Sequence, residues 1–127
     1  MTESEYLNLE DVLSTVRLLG IGPVRDIGLL NSAINRSRAS AGTVEFYPAL
    51  NLKAAALLQS LVKNHALVDG NERLGWLATV VFCDLNGAVP EPSDEEAFQL
   101  VLDVASDNLE LQLIAERLQL DGRRLHG

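Results

Sequence analysis

His65, Asp69, Asn71 and Arg73 stand together in the segment His65-Ala66-Leu67-Val68-Asp69-Gly70-Asn71-Glu72-Arg73. Imidazole is the side chain suited to take a proton from a hydroxyl near neutral pH. The Asp69 carboxylate is a hard oxygen ligand of the kind that holds Mg²⁺ shared with phosphates. Gly70 allows a tight turn, and Asn71 then opens a helix. The start of a helix presents unpaired N–H groups and the positive end of its dipole, which attract an anion. The Asn71 amide adds a hydrogen bond, and Arg73, one turn in, brings a fork of donors that fits a phosphate. Base, metal ligand and anion cradle thus meet at one helix-turn-helix junction.

The same residues also have structural uses. A His after a helix can simply meet its C-terminal dipole, Asp-Gly-Asn is a common turn, and an Arg near a helix start pairs with nearby acids. Residue types alone leave both readings open. A resident catalytic zinc is the weaker reading, because His65 and Asp69 are two ligands and the other histidine, His126, lies in the tail. A calcium loop lacks its regular acidic spacing before the Gly.

Six helices are expected to position this segment. Asn8 caps the first, with Glu10 and Asp11 in its first turn and Gly20 at its end. Asp26 caps the second, bearing Ile27, Leu30, Ala33 and Ile34. The stretch Arg36 to Pro48 is the one long loop, and Thr43 to Tyr47 has strand propensity, as a hairpin or flap over a site. A third helix spans roughly Asn51 to Asn64. The fourth runs to about Leu85 and has apolar residues nearly all round, including Leu74, Leu77, Ala78, Val81, Phe82 and Leu85, so it is expected to be the central buried helix. Pro90 and Pro92 mark a loop. Ser93 and Glu96 form a capping box for the fifth helix. Asn108 is expected to cap the sixth, with Leu109, Leu113, Ile114 and Leu118.

The whole chain sets bounds. With 127 residues, it is expected to be one mainly all-α domain over residues 1–127, with a core at about 6–118 and a polar tail at 121–127. The net charge of −8 argues against general nucleic-acid or anionic-membrane binding. Cys83, the one cysteine, sits in an apolar stretch and reads as a buried thiol compatible with a reducing cytoplasm. Met1 to Glu5 has no signal-peptide character, and the apolar run Leu74 to Phe82 is too short to span a bilayer.

The pattern His65-x-x-x-Asp69-Gly70-Asn71-x-Arg73 resembles the signature of the Fic/Doc family. Arg25 to Ile34 resembles that family's upstream helix. Tyr47-Pro48 followed by Lys53 to Leu58 resembles the approach to its motif helix, and Leu85-Asn86-Gly87 resembles that helix's end. The resemblance runs from about Tyr6 to Leu118 and implies a compact helical bundle using ATP and Mg²⁺. It implies that His65 takes a proton from a target hydroxyl. Asp69 would position Mg²⁺, while Gly70, Asn71, Arg73 and backbone amides hold phosphate. In the Doc branch the implied reaction is phosphorylation of the elongation factor that carries aminoacyl-tRNA, restrained by a Phd-like antitoxin that covers the site.

Three positions depart from the family pattern. Leu67 replaces the usual Phe, a change of volume. Trp76 stands where AMP-transferring Fic enzymes have a second Arg, which disfavours AMP transfer and favours Doc. Glu72 stands where Fic has Gly and Doc has Lys. A carboxylate there opposes phosphate, at a cost on the order of a few kcal/mol at intermediate dielectric. The expectation is therefore a Doc-type kinase, or a version of it weakened by Glu72. The alternative is an impaired module acting by binding its antitoxin. Ser106 to Glu110 has the spacing of the family's internal inhibitory motif, but Leu111 follows, and helix capping explains it better.

Overall fold

The computed structural model describes residues 4–122. The chain runs α1 (Leu9–Leu19), α2 (Ile27–Asn35), a 3-10 turn (Arg36–Arg38), β1 (Ser40–Ala41), β2 (Val44–Glu45), α3 (Leu50–Lys63), α4 (Asn71–Leu85), β3 (Val89–Pro90), α5 (Asp94–Ser106), α6 (Leu111–Leu118) and β4 (Leu120–Asp121). It is mainly helical, as its residues suggest. Among the described residues the strands form two small antiparallel hairpin-like pairs, β1 with β2 and β3 with β4. No described helix is long and apolar enough to cross a membrane.

Helix starts follow their local chemistry. At α1, Asp11 N donates to Asn8 Oδ1 (2.8 Å) while Asn8 N donates to Asp11 Oδ2 (3.1 Å). Asp26 accepts from Leu29 N at 3.0 Å to start α2. Ser93 and Glu96 form the reciprocal pair at α5. Gly20 closes α1 in the left-handed region, at φ 66°.

The central helix is α3, not α4. Lys53 to Leu58 and Ser60 to Val62 of α3 are all buried, and α3 packs against α2, α4, α5 and α6. Its Ala54-Ala55-Ala56 run lets neighbours come close. Gly75 of α4 meets α3 at the tightest point: a Cβ there would lie 2.7 Å from Val62 Cγ2. On α4 the buried stripe is Asn71, Leu74, Gly75, Ala78, Thr79, Phe82 and Cys83, whereas Val81 and Leu85 are exposed. The apolar residues of α4 that miss α3 face the surface instead. Thr79 is buried because its hydroxyl donates back to Gly75 O at 2.7 Å. Cys83 is fully buried, and burial pushes its thiol up to about 12.

Three further expectations are corrected. The strand after Gly42 is only Val44–Glu45; Phe46 N still reaches Ala39 O (3.0 Å), but the Tyr47 hydroxyl turns to Arg36. Helix α6 begins at Leu111 after the cap residue Glu110, not after Asn108, and Leu113 is exposed. The start of the presumed tail is structured, since Asp121 pairs with Val89 and Leu120 with Pro90. Residues 123–127 of that tail, with His126, lie outside the described residues, as do Met1 to Glu3 of the polar start. Ser106 ends α5 and Glu110 precedes α6, so the two do not share a helix.

The hairpin is tied to the core by Lys53. This lysine is 2% exposed, and its ammonium meets Glu45 Oε1 at 2.7 Å and the Tyr47 carbonyl. Burying an ammonium is tolerable only with such partners.

Candidate active site

The loop from Asn64 to Gly70 joins α3 to α4 and carries His65 and Asp69. It is zipped against the loop between α1 and α2. Val68 N donates to Pro23 O (3.0 Å), Arg25 N to Ala66 O (2.7 Å) and Gly22 N to Asp69 O (3.0 Å). Val24 and Leu67 form a β-bridge, and the Arg25 guanidinium donates to the His65 carbonyl. Ala66 and Leu67 are buried, which fastens the loop from below. The main chain around His65 and Asp69 is thus held while both side chains are exposed. His65 itself sits at φ 52°, a left-handed conformation that His tolerates better than most residues.

Gly70 is needed twice over. Its φ is 94°, and a Cβ would lie 2.7 Å from Ile21 Cβ and 2.9 Å from Ile21 Cγ2. No side chain caps α4, because Gly70 has none to offer. The first N–H groups of α4 therefore remain available to an anion.

Asn71 is the first residue of α4, and its amide points inward. Its Oδ1 accepts from Leu67 N (3.1 Å) and its Nδ2 donates to Leu67 O (3.0 Å). The residue is 8% exposed. The side chain expected on phosphate is here spent on shaping the His65–Asp69 loop.

Glu72 and Arg73 are exposed in the first turn of α4. Arg73 takes no part in the ion pairs seen among the described residues, Lys53–Glu45 and Arg117–Asp103, so it is not neutralised by an acid of this kind. The structural reading in which Arg73 simply pairs with a neighbour does not hold. Glu72 has a favourable place for folding, since an acid in a first turn suits the helix dipole. Being exposed, it repels a phosphate through solvent, and screening shrinks the penalty that charge alone suggested.

Glu72 and Arg73 also edge an apolar groove of about 420 Å³, between α4, α5 and the end of α1. Leu19, Trp76, Leu77, Phe98 and Leu102 form its apolar walls, and Asp94 lies at its polar side. His65 and Asp69 are not among its lining residues. Sequence reasoning missed this groove, although Phe98 and Leu102 stand off the buried stripe of α5, a readable signal. It also missed Arg25 and Ile21 as supports of the loop, for which only the pairing of two distant loops gives the reason.

Among the described residues no three His, Cys, Asp or Glu side chains group to hold a metal. Asp69 offers one exposed carboxylate. That donor set fits Mg²⁺ bound jointly with a substrate's phosphates, the usual manner for this ion.

Comparison with known proteins agrees with this architecture. The family model described as the Fic/DOC family matches residues 1–83, which include the whole segment His65 to Arg73. A curated relative, "Toxin Doc" of Mycolicibacterium smegmatis, is 44% identical over 119 residues, covering 91% of this chain and 92% of that protein.

Proposed function

This chain belongs to the Fic/Doc family, in its Doc branch, and from that premise we propose that it is a cytoplasmic toxin that transfers phosphate from ATP to a hydroxyl of the elongation factor carrying aminoacyl-tRNA. The observation that carries the reading is the order of groups on one pinned junction: exposed His65, exposed Asp69, the uncapped start of α4, then Arg73 free of any acid partner. His65 takes the proton of the attacking hydroxyl. Arg73 and the first N–H groups of α4 hold phosphate oxygens where charge builds up. Gly70 lets the chain turn close to the phosphates. Asn71 positions the loop through Leu67. Asp69 would hold Mg²⁺, which would offset phosphate charge, while ATP would supply the γ-phosphoryl group and leave as ADP.

Glu72 lowers the rate by opposing phosphate at the same helix start. AMP transfer is disfavoured because Trp76 lines the apolar groove, where an arginine would otherwise supply a second fork for phosphates. A second reading has its own support. The groove beside Glu72 and Arg73 is a fitting seat for a segment of a Phd-like antitoxin, so binding that partner is the chain's role if Glu72 abolishes transfer.

The test is the intact mass of the elongation factor after incubation with the protein, ATP and Mg²⁺, with His65→Ala and Glu72→Lys alongside. One added phosphate, lost in His65→Ala, supports the proposal. One added adenylate overturns it in favour of AMP transfer. No change with the parent chain but phosphate with Glu72→Lys means a kinase crippled at position 72. No change with either removes the kinase reading and leaves the binding role.

A further inference from the structure

A second cleft, distinct from the groove, opens between the C-terminal end of α3, the 3-10 turn and the α5–α6 connection. It has a volume of about 300 Å³ and is lined by Arg36, Gln59, Ser60, Lys63, Asn64, Asn108 and Leu109. Two cations line it, and neither has an ion-pair partner. The chain has 18 acidic residues against 10 basic ones. Even so, neither Arg36 nor Lys63 has a carboxylate within 4.0 Å. Asp107, whose main-chain carbonyl accepts from Lys63, keeps its carboxylate beyond that distance.

Both cations are held in place by neutral groups. The Arg36 Nη1 donates to Gln59 Oε1 (2.6 Å) and Ser60 Oγ (3.0 Å), and its Nε donates to the Tyr47 hydroxyl (3.2 Å). The guanidinium also lies 5.6 Å from the centre of the Tyr47 ring. Gln59 is clamped in turn, since its Nε2 donates to Leu109 O at 3.2 Å. No hydrogen bond of the Arg36 Nη2 is seen. Lys63 donates to Asp107 O at 3.0 Å and to Val104 O at 3.4 Å, both at the end of α5, and to Asn108 Oδ1 at 3.5 Å. Arg36, Lys63 and Asn64 thus line one cleft. Two fixed positive charges with no carboxylate beside them, one of them offering its Nη2, attract an oxyanion, and charge-assisted bonds of this type are the strong ones. The cleft lies at the small end of pockets that hold ligands, roughly 300–1,000 Å³.

We propose that this cleft is a phosphate-binding site, formed by Arg36, Lys63 and Asn64 and separate from the start of α4. Its ligand is inorganic phosphate or the phosphate of a small monoester such as a nucleotide; the two share the same chemistry.

The experiment is an NMR titration of the full chain with inorganic phosphate, and separately with AMP, at constant ionic strength set with chloride. Saturable shifts of the Asn64 and Asn108 side-chain amides are expected. Lys63→Gln and Asn64→Ala should each weaken binding about tenfold, in line with the loss of a hydrogen bond to a charged group. The Asn64→Ala variant removes no hydrogen bond of the fold, so it stands even if Lys63→Gln disturbs the end of α5. Arg73→Gln should leave these shifts unchanged. Tighter binding of AMP than of phosphate makes a monoester the ligand; equal binding makes it inorganic phosphate. Shifts confined to residues 69–73 and lost in Arg73→Gln would place phosphate only at α4 and overturn the proposal. So would shifts that never saturate.

Discussion

Replacing Asn71 by Ala removes both hydrogen bonds to Leu67 at once. Leu67 is 1% exposed, so its N–H and C=O gain no ready access to water. Each buried group left unsatisfied costs about 1–3 kcal/mol. Loss of the pair, with some relaxation at this helix end, comes to about 2–4 kcal/mol, a large share of the roughly 5–15 kcal/mol that stabilises a domain. Urea unfolding followed by Trp76 fluorescence should show a lower midpoint with an unchanged slope. Asn71→Asp sharpens the case. A carboxylate still accepts from Leu67 N, but its second oxygen faces the Leu67 carbonyl, and burial opposes its charge. Its folded-state pKa is therefore raised above the unfolded value. The penalty is complete above the folded-state pKa and is relieved as pH falls through it, because the protonated acid can donate to Leu67 O. A loss below about 0.5 kcal/mol in Asn71→Ala, the range of surface changes, would refute the energetic reasoning. Full stability with lost phosphate transfer would refute the positioning role and return the amide to the phosphate itself.

Gly70→Ala should cost at least about 2 kcal/mol, combining strain at positive φ with the clash on Ile21. Adding Ile21→Ala should relieve only the part of the clash that comes from Cγ2 and Cδ1, because the Cβ at 2.7 Å stays, and thermal melts of the single and double variants check this. Cys83 should resist thiol-specific reagents at pH 8 in the native protein and react fully in urea; prompt native labelling would contradict its burial. The Ser93 backbone N–H holds the Glu96 carboxyl below the usual range. Its contribution is thus present above the unfolded pKa and lost as pH falls through the lower folded value. Glu96→Gln should flatten the acid limb of a stability-versus-pH curve, measured by urea midpoints.

Helix starts were legible wherever one residue decides them. Asn8, Asp26 and Ser93 each supply a short side-chain acceptor, and each caps the helix read from it. Asn108 was misread because it is the same kind of residue, yet here it faces Lys63 rather than an N–H of α6. The identity of the central helix was not legible. Both α3 and α4 are rich in apolar residues, and only packing shows that Ala54 to Ala56 admit neighbours on several sides. The segment His65 to Arg73 was readable as a unit because its residues are contiguous. Its supports were not, because Ile21 and Arg25 act across some forty residues of chain. Asn71 shows the limit most clearly: the same amide suits a phosphate or a backbone, and only the position of Leu67 decides.

The pinned loop bears on how such a toxin is kept silent. A flexible active-site loop could be switched off by being reshaped, and would need time to recover its form. Here the main chain of His65 to Asp69 is fastened to the α1–α2 turn by the chain's own backbone hydrogen bonds. Under the proposed function, control by folding or unfolding the loop is closed off, and an antitoxin must act as a cover. The delay between loss of antitoxin and onset of damage is then set by how fast the cover departs or is degraded, with no rearrangement of the toxin in between.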